Sequence, residues 1–171
     1  MAVTNRNSTQ VANAVATPAV RNNSIAADAV KRSALGYVAN AADDDATSIH
    51  RIARVPWDAC VRGIKLTTGD ASTAGAINVG VYYPVGHPNS AAGAVVDADL
   101  FASAFALTNG PYQRAEITDQ TQYSLTERLQ PLWQAAGLTS NPGGYADIAA
   151  TISTTYNGAA VGQLYEVDYV V

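Results

Sequence analysis

The residues able to do chemistry are few. The chain offers two imidazoles, His50 and His87, and one thiol, Cys60. A nucleophile needs a base within hydrogen-bond reach and usually an acid to orient it. The sequence has no GxSxG elbow, P-loop, glycine-rich dinucleotide fingerprint or HExxH pair to supply such a set. His50 falls in an apolar run beside Arg51, and His87 in the turn "PVGHPN", where a histidine more commonly serves as a plain surface or loop residue. Cys60 shares strand parity with Ile64 and Leu66, the pattern of a small buried hydrophobe rather than a reactive thiol. The chain lacks the ligands for a Cys/His zinc site. Oxygen donors for calcium exist at Asp43, Asp44 and Asp45 and at Asp97 with Asp99, but without EF-hand spacing they read as solvated carboxylates. Trp57, Trp133 and the pair Tyr82 and Tyr83 could build a flat sugar-binding platform; the commoner use of such rings in a sandwich is in cores and subunit contacts. The expectation is a protein with no catalytic residues, cofactor or metal.

The elements that would position these side chains are strands. From Ile49 onward, short apolar runs alternate with Gly, Pro, Asn and Asp. "IHRIARVP" (49–56), "ACVRGIKLTTGD" (59–70) and "AINVGVYYP" (76–84) read as strands, the third with Ile77, Val79, Val81 and Tyr83 on one face. "VVDADLFASAFALT" (95–108) is long, is apolar on both sides and calls for a bend or bulge. In "YSLTERLQPLWQAAGL" (123–138), Pro131 ends one helical path and suits the first turn of another, around Leu132 and Trp133 and closed by Gly137. "YADIAATIST" (145–154) aligns Ala146, Ile148, Ala150 and Ile152. The final run (161–171) groups Val161, Tyr165, Val167, Tyr169 and Val171 and turns Glu166 and Asp168 away. Seven or eight strands with no strand–helix alternation predict an all-β fold, an antiparallel β-sandwich of jelly-roll type.

Residues 1–48 have another texture. The first 24 carry only four valines besides Met1, too little apolar surface to offset the backbone entropy of ordering them. "SIAADAVKRSALG" (24–36) is a helix candidate, with Ser24 as cap and Gly36 as stop. "ANAADDDATS" (39–48) reads as a linker of mutually repelling aspartates. The expected organisation is an extended N-terminal arm and linker with a short helix over 1–48, followed by the sandwich over 49–171.

Charge separates the two parts. Residues 1–38 hold Arg6, Arg21, Lys31 and Arg32 against Asp28, a balance of +3, while the remainder carries −7. A mildly basic arm on an acidic body can dock on an acidic neighbour, including an identical body, and Arg6, Arg21, Lys31 and Arg32 are the expected partner-binding residues. No Lys/Arg cluster of the kind that grips phosphates is present, which argues against nucleic acid as partner. No run reaches the eighteen or so apolar residues of a membrane span, and no basic-then-apolar leader opens the chain. A lone cysteine suits folding in a reducing cytoplasm.

Three stretches in this order carry a likeness: the opening "MAVTNRNST"; "HRIARVPWDACVRGIKL" with "AINVGVYYP"; and "GAVVDADLFASAFAL" followed by "LWQAAGLTSNPGGYADIAATIST". Together they resemble a family of small virion structural proteins of tailed bacteriophages. The resemblance implies a capsid decoration, or cement, protein. Such a protein is a non-enzymatic sandwich on the outer head surface, bound to the major capsid protein, commonly a homotrimer, and assembled in the bacterial host cytoplasm. Under it the arm becomes a strap across neighbouring subunits, since 24 extended residues reach up to about 80 Å. Neck, tail or fibre-base components would share such a fold, and a carbohydrate-binding module is the reading from a different class.

Overall fold

Alternating burial builds eight strands into two layers. The computed structural model describes residues 12, 16–18, 20, 30–39, 44–69, 74–85, 93–157 and 162–171. The strands are β1 (Lys31–Ala39), β2 (Ile49–Pro56), β3 (Cys60–Thr68), β4 (Ala74–Tyr82), β5 (Val95–Ala106), β6 (Ala115–Glu116), β7 (Tyr145–Asn157) and β8 (Gly162–Val170). A 3-10 turn (Glu127–Leu129) and one short helix, α1 (Leu132–Ala135), interrupt the sequence between β6 and β7. The first sheet has the order β1-β8-β3-β6 and the second β2-β7-β4-β5, and every pairing is antiparallel. The expected all-β antiparallel sandwich is the observed fold.

The core lies between the sheets. Ile77, Val79 and Val81 from β4, Ala146, Ile148, Ala150 and Ile152 from β7, and Tyr165 and Val167 from β8 are all buried, as their alternation predicts. Trp57 at the β2–β3 turn is fully buried, and Phe101 meets Tyr123 edge-on at 4.9 Å. The long β5 is irregular, with register shifts along its pairing with β4 and a positive φ at Ala104. Its detour covers β4, because a Cβ on Gly80 would lie 2.1 Å from the Asp97 carbonyl oxygen. Pro131 precedes α1, and Gly137, with φ of 72°, ends that turn in the left-handed conformation that glycine tolerates.

One expectation is corrected. The helix predicted over 24–36 is, in its described part, a strand: β1 pairs with β8 without a break from Lys31↔Val170 to Ala39↔Gly162. Residues 24–29 lie outside the described residues. Tertiary contact overrides the local helix signal here. Ala34, Gly36 and Val38 turn inward opposite Val167, Tyr165 and Gln163, and Gly36 is required because a Cβ there would fall 2.0 Å from the Ile52 carbonyl oxygen. Gly36 is thus a close-approach residue rather than a helix stop. β structure accordingly begins ahead of residue 49.

Candidate interaction surface

The side chains first considered for chemistry are engaged in structure. His50 Nε2 lies 3.2 Å from Asp44 Oδ2, and His87 and Asp43 lie outside the described residues. Cys60 is fully buried, and burial pushes its thiol pKa up, which disfavours the nucleophilic thiolate. Asp97 Oδ1 accepts the Asp99 backbone N–H at 3.1 Å, and burial raises the Asp97 carboxyl above its ordinary range. Among the described residues, no three His, Cys, Asp or Glu side chains group as a metal site would require. Trp57 and Tyr82 are buried, and Tyr83 packs against Trp57 at 5.7 Å, so these rings do not form an open sugar platform.

The outer face of the second sheet is closed by its own network. Asp147 is buried between two guanidinium groups: Arg51 Nη1 lies 2.9 Å from Oδ2, and Arg54 donates from Nε to Oδ1 at 2.7 Å and from Nη2 to Oδ2 at 3.2 Å. Arg51 also donates to the Tyr83 and Gly93 carbonyl oxygens and lies 5.7 Å from the centre of the Tyr82 ring. The carboxylate gathers both arginines over the middle of the face, and the exposed apolar side chains Ile49, Tyr145 and Val95 stand apart at the strand ends.

The outer face of the first sheet is different. Its ladder places Ser33, Leu35 and Tyr37 of β1 opposite Asp168, Glu166 and Leu164 of β8, and these in turn opposite Gly63, Lys65 and Thr67 of β3. Lys31 and Lys65 approach Asp168 Oδ2 from either side, at 3.0 and 2.7 Å. Burial opposes ionisation of Asp168, but the hydrogen bonds from Lys65 and Lys31 outweigh it and hold the carboxyl below its ordinary range. Arg114 Nη2 donates to both oxygens of Glu166, at 3.0 and 2.7 Å. Between these pairs runs an open groove of about 560 Å³ lined by Lys65, Thr67, Gln113, Arg114 and Leu164. Both cations along it are already held by carboxylates.

Beside this charged lattice, Leu35 and Tyr37 stand 68 % and 69 % exposed on β1, and Leu164, directly opposite Tyr37, is 40 % exposed. Two large apolar side chains from β1 and one from β8 therefore share the outer face at this edge of the sheet, an exposed apolar patch rather than a catalytic pocket. Of the expected partner-binding residues, Lys31 is tied to Asp168, Arg32 is exposed at the start of β1 opposite Tyr169, and Arg6 and Arg21 lie outside the described residues. Leu35 and Tyr37 were hidden by the helix reading, although the alternation of Ser33, Leu35 and Tyr37 with Ala34, Gly36 and Val38 carries the strand signal.

No protein-family model matches the chain, and no curated protein does. Among solved structures, it is similar to a chain of the cyanophage Pam1 capsid asymmetric unit, with a TM-score of 0.54 and 16 % identity over 84 % of this chain and 86 % of that one. A chain of the acidic stable capsid structure of Helicobacter pylori bacteriophage KHP30 aligns with a TM-score of 0.43 and 14 % identity, over 84 % and 93 % of the two chains. What this chain shares with the cyanophage chain, at that identity, is its two-layer β fold.

Proposed function

We propose that the chain is a non-enzymatic structural component of a phage virion that docks on the outer surface of the capsid and braces capsomer junctions. The observation that carries this reading is the fold held in common with a chain of a phage capsid asymmetric unit, over more than four-fifths of both chains. The sequence resemblance to small tailed-phage virion proteins points the same way. The strand orders 1-8-3-6 and 2-7-4-5 support a jelly roll within the sandwich class, an architecture used by viral capsid domains. In this reading the residues ahead of β1 are the arm, the sandwich is the body, and the partners are the major capsid protein and further copies of the chain as a homotrimer. Arg6, Arg21, Lys31 and Arg32 supply positive charge toward acidic neighbours, with Lys31 shared with Asp168. The place of action is the virion surface, after assembly in the bacterial host cytoplasm.

The test is co-sedimentation of purified protein with heads of the source phage that lack it, with bound copies counted per particle. The truncated comparison starts at Val30, because a cut at residue 46 would strip β1 from the first sheet. Saturable binding in many copies, weakened by the truncation and by Arg6→Glu with Arg21→Glu, is the expected result. Binding at only a few sites would assign the protein to a neck, tail or fibre base, and no binding at all would defeat the capsid reading.

A further inference from the structure

We propose that β1 is the docking edge for a second copy of this chain, the two β1 strands pairing antiparallel about a twofold axis at Gly36. The two sheets end in four edge strands: β1 and β6 in the first, β2 and β5 in the second. Three of them are poor templates. β6 has two residues, β2 is bulged between Arg51 and Ala53 and ends at Pro56, and β5 breaks register repeatedly along β4. β1 is the regular one, with nine residues in continuous register on β8. β2 passes beneath its inner side at Gly36, and no backbone hydrogen bond joins the described residues of β1 and β2. A strand so placed presents alternate backbone N–H and C=O groups along its open side.

Sequence chooses the occupant and its direction. β1 begins with Lys31 and Arg32, and the chain leaves it through Asp43, Asp44 and Asp45. Antiparallel self-pairing carries the basic start of one copy toward the end of β1 that the acidic stretch follows in sequence in the other, whereas parallel pairing would set the two basic starts together. With Gly36 on the axis, Leu35 faces Tyr37 of the second copy on the outer side, and Leu164 extends the apolar patch on each flank. The result is one eight-stranded sheet across two bodies, an isologous contact distinct from those that close a trimer, able to join one trimer to another, and independent of whether the protein sits on a capsid.

The experiment mixes two variants that each add one cysteine, Leu35→Cys and Tyr37→Cys, under mild oxidation and maps the cross-link, with native mass spectrometry of the wild type alongside. The native Cys60 is buried and stays out of the reaction. Expected are a wild-type assembly with an even number of chains and a 35–37 bridge that forms in the mixture and only weakly in either variant alone. The charge variant Leu35→Lys with Tyr37→Lys should weaken self-association about tenfold or more, with an unchanged circular dichroism spectrum. A wild type that stays monomeric at high concentration, or an oligomer without the 35–37 bridge, would overturn the proposal. If that monomeric protein binds heads and the double-lysine variant does not, the edge belongs to the capsid partner, which also overturns it. Head binding by a wild type that also forms the bridge leaves both readings standing, and loss of head binding alone sinks only the capsid reading.

Discussion

The two sides of the first sheet are built from the same backbone and end in opposite ways. Beyond β3, where β6 covers only Lys65 and Leu66, the chain returns to seal nearly every position. The Ala59 carbonyl accepts the Leu132 N–H at 2.8 Å, Val61 the Tyr123 hydroxyl at 3.1 Å, Arg62 the Arg128 guanidinium at 2.8 Å, and Ile64 the Ile117 N–H at 2.9 Å. The Ile64 N–H is met by the Thr118 hydroxyl at 2.8 Å, and the Thr68 N–H by the Tyr112 carbonyl at 2.9 Å. Beyond β1 the described residues provide no such cover, and the strand carries its apolar side chains outward. A buried strand with unmet backbone groups loses stability, so the chain spends residues 107–132 closing one side. The other side receives no such cover from the described residues.

Breaking the seal should have the largest effect. Tyr123 is fully buried, its ring meets Phe101, and its hydroxyl donates toward the Val61 and Glu127 carbonyl oxygens. Tyr123→Ala is expected to cost about 3–5 kcal/mol in urea unfolding. Tyr123→Phe, which keeps the ring and takes the hydroxyl from the Val61 carbonyl while the Glu127 carbonyl keeps the Gln130 N–H, should cost about 1–2 kcal/mol. Equal losses in the two variants would show that the hydroxyl, and not the ring, closes the edge. On the β1 side, Gly36→Ala drives a methyl into the Ile52 backbone, which cannot rotate away as a side chain would. A loss of about 2–3 kcal/mol is expected, and a neutral result would mean that β1 does not press on the Ile52 backbone.

A smaller effect, set by pH, sharpens the same comparison, because Asp168 joins the two sides through Lys31 on β1 and Lys65 on β3. Its carboxyl is held below the ordinary range in the folded state, so its contribution is present above the unfolded pKa of about 3.9 and is lost as pH falls through the lower folded value. Asp168→Asn should cost about 1 kcal/mol near neutrality, discounted for the exposure of Lys31, and that deficit should shrink as the solution is acidified below about pH 4. Thermal unfolding of both proteins across that window checks the sign. A gap that widens on acidification would place the favourable interaction elsewhere.

What the sequence made legible was what period alone decides. The runs at 76–84 and 145–154 reveal their buried faces because one face of each strand meets the core, and Pro131 with Gly137 frames the α1 turn. Where two layers cover a residue from outside, the period misleads: Tyr82, on the outer parity of β4, is buried beneath Arg51 and the β5 detour, while its neighbour Tyr83 is only half-buried. The helix expected at 24–36 failed for a related reason. Gly36 reads locally as a stop, and only the approach of Ile52, distant in sequence, shows why glycine is there. The interaction patch was missed with it, since Leu35 and Tyr37 share a face only in a strand.

The smallest stability effect belongs to that patch, and it separates a strand that is merely uncovered from one that is meant to be covered. Leu35 and Tyr37 are more than two-thirds exposed in the single chain, so little burial is lost when they are truncated. Leu35→Ser and Tyr37→Ser should each change the unfolding free energy of the isolated chain by less than about 0.5 kcal/mol. If stability measured at low protein concentration stays within that range while it falls at high concentration, where the wild type is reinforced by association, the patch contributes between chains and not within one. A loss as large as that of Gly36→Ala at every concentration would mean that the two side chains fold back onto the body, and the contrast between the two sides of the sheet would disappear.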